Sequence, residues 1–392
     1  MTAPDDRRAR DDAQTVDATM ARDDAQAVGA ATARDDAQAR DATRAARRRL
    51  LETMPKAELH LHLDGSLRIA TAIELARTRG IEAPDDWFGM SAALVGEMPG
   101  TSQAELLKRF DLPIALMQDA EALERITVEL VEDKAADNVR YAEIRWGPLL
   151  HVMGGLPLAD GIAAVVRGAR SAAARTGITV RLISTALRSH DPDRNVELAQ
   201  TAAGFIDDGL TGWDLAGQEA AYPDPLLHGR SFEVARENGL HITIHAGEWG
   251  GAAQVRRALV VDPERIAHGP GAIDDRPLCA DLTARGITLD LAPTSNWQAG
   301  IVSSVAEHPI GPLYRMGVPV TLNTDDLTVS DLKLSDEYVN AAEQIGLALP
   351  DLWAIDRHAL DVAFLDETTR EHLRADFDLW AANVPELAGP GG

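Results

Sequence analysis

The chain has 392 residues, 45% of them hydrophobic, and a formal net charge of −24. Such length and apolar content suit a globular protein with a sizeable core, while the acidity argues against nucleic acid or an anionic membrane as partner, since both need clustered Lys and Arg. A single cysteine, Cys279, rules out an internal disulfide and any Cys-based zinc centre.

There is no run of 18 apolar residues and no apolar stretch near the N-terminus, so neither a transmembrane helix nor a secretory signal is expected, and the cytoplasm is the default compartment. Residues 1–48 differ from the rest. Ala-Arg-Asp-Asp-Ala-Gln occurs at 9–14, 21–26 and 33–38, a spacing of twelve residues. Ala and Arg tolerate a helix, but no apolar stripe is present to dock it. This segment reads as a disordered or marginally helical tail with no catalytic role. It carries nine basic and ten acidic side chains, so the acidity belongs to the remainder.

From residue 49 the pattern is α/β. Short β-branched runs occur at 57–63, 139–146, 179–187, 211–216, 241–246, 265–268, 287–292 and 318–324. Helix-like segments, such as 159–176, 225–239 and 254–260, separate most of them. Eight strands alternating with helices over roughly 300 residues predict a (β/α)8 TIM barrel. The exception is the interval 69–138, which holds several helices and the apolar run Leu106, Leu107, Phe110, Leu112, Ile114 and Leu116. It predicts a helical insertion after strand one, over the barrel mouth. The expected organisation is a tail over 1–48, a barrel over 49–385 and a flexible C-terminus over 386–392.

In such a barrel the chemistry sits at the C-terminal strand ends. Strand one carries His60 and His62, which share one face because side chains alternate. The later ends carry Asp214 to Glu219, His245 with Glu248, His268 with Gly269, Pro293 to Asn296, and Asn323 to Asp326. Four of eleven histidines fall at these ends. The other seven, His151, His190, His228, His241, His308, His358 and His372, read as surface or structural.

A divalent ion such as Zn²⁺ takes imidazole nitrogen and carboxylate oxygen. His60, His62, His245 and Asp325 offer three nitrogens and one oxygen from strands one, five and eight. Such an ion lowers the pKa of water from about 15.7 to about 7. His268 is placed to orient that water and take its proton. Glu248, on the loop over the mouth, could donate a proton to a substrate nitrogen, and Asp326 could accept a hydrogen bond from substrate. No lysine lies near the end of strand four to bridge two metals, so one ion is expected. The combination predicts a hydrolase adding water to a C=N or C=O centre.

These motifs resemble the adenosine deaminase family of the metal-dependent amidohydrolases. The resembling residues are Pro55 to Leu67, Asp214 to Gly217, His245 to Glu248, His268-Gly269, Pro293 to Asn296 and Leu322 to Asp326. The resemblance implies one Zn²⁺ on His60, His62, His245 and Asp325, and catalysis by Glu248, His268 and Asp325. It also implies a purine nucleoside substrate, adenosine or 2′-deoxyadenosine, converted to inosine or 2′-deoxyinosine and ammonia. Glu248 would protonate purine N1, Asp326 would meet N7, the Gly217 N–H would meet N3, and Asp64 would face the ribose 5′-hydroxyl. His62 also borders the substrate.

Four positions depart from the family pattern: Gln218, Ala292, Trp297 and Leu327. They leave open the same chemistry on another 6-aminopurine, such as 6-amino-6-deoxyfutalosine or free adenine. A catalytically silent binding paralogue is a third reading. Oligomeric state is not encoded in any pattern found.

Overall fold

The computed structural model describes residues 38–39, 41–96 and 106–387. The chain divides into two compact units, Met1–Thr53 and Met54–Gly392. In the first, the described residues are helical, with a helix over 41–53. Arg48 Nε donates to Glu52 Oε1 at 3.1 Å, one turn apart, a spacing that supports an exposed helix. The repeats at 9–14 and 21–26, most of that at 33–38, and the C-terminal residues 388–392 lie outside the described residues.

The second unit is a barrel of eight parallel strands in sequence order, β1 to β8. They are β1 Lys56–His62, β2 Val139–Trp146, β3 Thr179–Leu187, β4 Leu210–Ala216, β5 His241–His245, β6 Arg265–Ala267, β7 Thr288–Leu291 and β8 Val320–Leu322. All eight expected strands form. The last three are shorter than expected because their final residues leave the ladder to build the barrel mouth. Pro293 instead opens a short helix, Pro293–Gln298, as suits a ring with fixed φ and no N–H to lose.

Strand β1 shows why alternation matters. Leu59 packs outward against Ala359, Leu360 and Phe377 of the C-terminal helices. Burying each such side chain contributes about 1.5–3 kcal/mol. His60 and His62 consequently face the barrel axis. The insertion between β1 and β2 contains helices Ile69–Arg79, Trp87–Leu94, Asp111–Leu116 and Ala120–Ala136. Cys279 is buried on the helix Arg276–Arg285, as expected of a small apolar residue. Among the described residues, no helix is long and apolar enough to cross a membrane.

Two features of the barrel were not legible in the strand pattern. Its interior holds a layer of fully buried charge. Arg265 lies against Glu143 and donates to Asp290 Oδ2 at 3.0 Å, and Arg145 NH1 approaches Asp214 Oδ2 at 3.4 Å. The seam between β8 and β1 is closed by the backbone of site residues. His62 N donates to Asp325 O at 2.6 Å, and Asp325 N donates to His60 O at 3.1 Å.

Candidate active site

The seam fixes the positions of three candidate ligands at once. His60 and His62 leave β1 toward the axis, and Asp325 is bonded between them through its main chain. Asn323 Oδ1 also accepts from the N–H groups of Leu59 and His60, at 2.9 and 3.1 Å. One step further, buried Glu58 accepts from Thr324 N at 3.0 Å and pairs with Lys134 Nζ at 2.6 Å. The segment 323–325 is thus tied to β1 by side chains as well as backbone.

His245, from the end of β5, completes the cluster. His60 Nε2 and His62 Nε2 are 3.3 Å apart, and His62 Nε2 and His245 Nε2 are 3.1 Å apart. Asp325 Oδ1 lies 3.0 Å from His60 Nε2 and 3.4 Å from His62 Nε2. Tetrahedral Zn²⁺ with bonds of about 2.0–2.1 Å needs ligand atoms about 3.3 Å apart, so the donor set fits that ion. The outer nitrogens point away from the centre onto fixed acceptors. His245 Nδ1 is 2.9 Å from Asp214 Oδ2, and His60 Nδ1 is 3.3 Å from Asp290 O. Such contacts aim the Nε2 lone pairs inward. A second grouping, His60, His245, His268 and Asp325, also brings ligand atoms within 4.8 Å of one another.

Burial disfavours the charged form of these imidazoles. It lowers His60 well below the usual range and His62 to about 4, despite the opposing pull of Asp325. They are therefore neutral at pH 7, as ligands must be. Burial alone would raise Asp325, but His60 and His268 hold it well below the ordinary carboxylate range.

Above the cluster is a cavity of about 390 Å³, within the range of small-molecule sites. His62, Asp64, Gly217, His245, Glu248, His268, Asp325 and Asp326 all line it. His60 is fully buried and does not line it. The apolar run of the insertion supplies Leu106, Leu107, Phe110 and Ile114 to the cavity wall. Of the four departures from the family pattern, Gln218 lines the cavity; Ala292, Trp297 and Leu327 do not.

Two site residues sit in the left-handed region, His268 at φ 67° and Asp325 at φ 68°. Backbone held there costs about 1–3 kcal/mol per residue and persists only where surroundings over-determine it. His268 N donates to Asp290 O at 2.9 Å, and Ser295 Oγ donates to Asp325 Oδ2 at 2.7 Å.

Of the four carboxyls that line the cavity, Glu248 and Asp326 are shifted toward their protonated forms. Burial, with Asp325, Glu219 and Asp326 nearby, pushes Glu248 well above its ordinary value. Burial, with Asp325 and Asp64, does the same to Asp326, whose Oδ1 is buried without a partner. The shift favours a form of Asp326 that donates a hydrogen bond, where the sequence reading had it accept one.

Of the histidines read as surface or structural, His151 and His308 are buried, each against a residue near the barrel mouth. His151 Nε2 contacts Asp64 Oδ1, and His308 Nε2 lies 3.0 Å from Asn296 Oδ1. Glu219 carries a positioning role that sequence reasoning missed. Its carboxylate accepts from Gly247 N at 2.6 Å, Trp249 N at 3.2 Å and Gly250 N at 2.8 Å. It therefore shapes the loop that presents Glu248. Its place two residues after Gly217, at a strand end, was the available signal.

Comparison with known proteins gives a consistent result. A family model described as adenosine deaminase matches residues 55–380. The chain is 36% identical over 327 residues to an adenosine deaminase of Clostridium perfringens, covering 83% of this chain and 98% of that one. Among solved structures it resembles an adenine deaminase from Arthrobacter aurescens, with TM-score 0.78 and 26% identity over 84% of this chain and 99% of that one. It also resembles an amidohydrolase from Burkholderia ambifaria with bound Zn, with TM-score 0.79 and 30% identity over 88% and 95% of the two chains. A third is the N6-methyl-AMP deaminase of Arabidopsis thaliana, with TM-score 0.75 and 30% identity over 86% and 99%.

Proposed function

The chain belongs to the adenosine deaminase family, and from that premise we propose that it is a cytoplasmic, zinc-dependent deaminase of adenosine and 2′-deoxyadenosine. The products are inosine or 2′-deoxyinosine and ammonia. Family membership makes it a hydrolytic deaminase acting on a cyclic amidine C–N bond. The choice among 6-aminopurines is the part proposed.

The observation that carries the choice is the character of the cavity. Among the described residues lining it there is no Lys or Arg, and an ionised carboxylate, Asp64, is present. Burial alone would raise Asp64, but His151, His62 and the Gly147 N–H hold it below its ordinary value. A 5′-phosphate would meet that charge without a cation to offset it. A neutral ribose hydroxyl would donate to it. Asp64 contacts His151 and accepts from Gly147 N at 3.1 Å, and a carboxylate has lone pairs to spare for a third donor. Free adenine would leave this residue unused.

The residues divide the chemistry as follows. His60, His62, His245 and Asp325 would hold one Zn²⁺. The ion would supply Lewis-acid activation of water at neutral pH. His268 orients the attacking oxygen toward C6. Glu248, protonated and enclosed, gives its proton to N1 and makes the adjacent carbon electrophilic. Asp326, also protonated, donates to N7, which offers only an acceptor. The Gly217 N–H meets N3. Gly217 sits at φ 107°, a conformation other residues rarely adopt. Water adds at C6, one of its protons passes to the amino nitrogen, which leaves as ammonia when the C–N bond breaks, the other restores the Glu248 carboxyl, and the carbonyl of the hypoxanthine ring remains.

The test is a substrate panel on purified, zinc-loaded protein. Adenosine and 2′-deoxyadenosine should lose absorbance near the adenosine maximum with stoichiometric ammonia, and a chelator should abolish the change. AMP and adenine should turn over poorly. Release of ammonia from AMP or adenine in preference to both nucleosides would overturn the substrate assignment.

A further inference from the structure

A buried hydrogen-bond chain runs outward from His268 through two residues that have no place in the steps above. Asn296 Nδ2 lies 3.1 Å from His268 Nδ1. Asn296 Oδ1 lies 3.0 Å from His308 Nε2. At the far end, His308 Nδ1 accepts from the backbone N–H of Ile310 at 3.2 Å. Asn296 is fully buried, and His268 and His308 are each 1% exposed, so water does not compete for these contacts.

The far end sets the direction of the whole chain. A backbone N–H can only donate. His308 Nδ1 must therefore be the acceptor, which in a neutral imidazole puts the proton on Nε2. Burial, with no charged partner beside it, keeps His308 neutral. Its Nε2–H donates to Asn296 Oδ1. That contact fixes the amide, because the reversed amide would need a His308 ring with two acceptor nitrogens and no N–H. The Asn296 NH2 then faces His268 Nδ1, which can only accept.

We propose that Asn296 and His308 are positioning residues that hold neutral His268 in the tautomer with its proton on Nε2, aimed into the cavity. His268 Nε2 is 3.7 Å from Glu248 Oε1 and 3.7 Å from Asp325 Oδ2. Both distances are too long for a direct hydrogen bond. They leave Nε2–H to donate to a third oxygen between these groups. His268 therefore holds the attacking oxygen as a donor and does not begin by taking its proton, as the sequence suggested. The inference bears on catalysis only through the deaminase reading above; the tautomer itself is independent of that reading.

The experiment has a substrate-free arm and a kinetic arm, both on the full chain loaded with Zn²⁺. In the first, the protein is labelled with 15N-histidine, and the His268 ring signals are assigned by their loss in His268→Asn, a residue that tolerates positive φ. The expected result is an unprotonated Nδ1 and a protonated Nε2. In Asn296→Asp, which sets an acceptor against Nδ1, the proton should move to Nδ1. In the second arm, His308→Leu removes the donor, while His308→Gln returns an amide N–H near the Nε2 position. His308→Leu should lower kcat for adenosine by about ten-fold, the scale on which outer-shell partners act, with KM and zinc content unchanged. His308→Gln should recover most of the loss.

A protonated Nδ1 in the wild-type protein would overturn the proposal. So would equal losses in His308→Leu and His308→Gln, or a KM change alone. If the 15N pattern is as expected but no 6-aminopurine is deaminated, the functional reading fails and the positioning role stands.

Discussion

His151 and Asp64 form a buried pair in the wall of the cavity, with His151 1% exposed and Asp64 5% exposed. The pairing makes the two residues unequal under mutation. Removing His151 leaves a buried carboxylate without its main partner, a change that costs about 3–5 kcal/mol. Replacing Asp64 by Asn puts an amide in place of the carboxylate beside His151, strands no buried charge at residue 64 and costs less. His151→Ala should therefore melt well below Asp64→Asn by calorimetry. Asp64→Asn should raise KM for adenosine and leave turnover of free adenine as it was. An equal KM increase for both substrates would remove the ribose role.

The two groupings of metal ligands share His60, His245 and Asp325 and differ in His62 against His268. His62 Nε2 stands 3.1–3.4 Å from its neighbours, while His268 Nε2 approaches Asp325 no closer than 3.7 Å. Metal analysis of two variants separates them. His62→Ala should lose zinc on dialysis, and His268→Ala should retain it while losing activity. The reverse pattern would place His268 in the ligand set. Chelation should also lower the melting temperature of the wild-type protein, since an ion that binds only the folded state stabilises it.

Glu219 and Glu248 act on the same loop in different ways. Glu248→Gln should keep the metal and cut kcat by about 10²–10⁴-fold, the usual contribution of a general acid. Glu219→Ala should free the N–H groups of Gly247, Trp249 and Gly250, misplacing Glu248. Its kcat should fall by about 10–100-fold, again with zinc retained. The double variant should be little worse than Glu248→Gln alone, because both act through one proton donor. Additive losses would separate their roles.

Glu337 gives a pH signature away from the metal. It is fully buried and accepts from Thr294 N at 2.7 Å, anchoring the helix that begins at Pro293. Burial raises its carboxyl from 4.5 to about 7, against the opposing effect of Thr294 and Asn340. The raised value means the folded state holds a proton that the unfolded state has released. The resulting stabilisation is complete below about pH 4.5 and is lost as pH rises through about 7. Its size is on the order of 3 kcal/mol. Denaturant unfolding from pH 5 to pH 8 should show this fall in the wild-type protein and a flatter profile in Glu337→Gln. Parallel profiles would assign the slope to other groups.

The alternation in β1, the eight apolar runs and the polar residues closing each run were enough to read a barrel and to name the residues at its mouth. Local chemistry suffices there, because a strand places its side chains by period two and a parallel barrel collects the strand ends on one face. His60, His62, His245, Glu248, His268, Asp325 and Asp326 were all legible in this way. Partners were not legible. His151 reaches Asp64 across 87 residues of sequence, His308 reaches Asn296 across 12, and Glu58 reaches Thr324 across 266. No local period marks such contacts.

Protonation divides along the same line. Residue type establishes that Asp325 and Asp326 can ionise, and by sequence they are neighbours of one kind. In the folded barrel both are buried, yet His60 and His268 hold the first well below the ordinary carboxylate range, while burial and the charges of Asp325 and Asp64 push the second well above it. The sequence by itself determined which chemical groups meet at the barrel mouth. Only the tertiary structure decided which of them hold a proton more tightly than usual and which less, because that depends on burial and on distances to other charges, and those distances do not exist until the strands close.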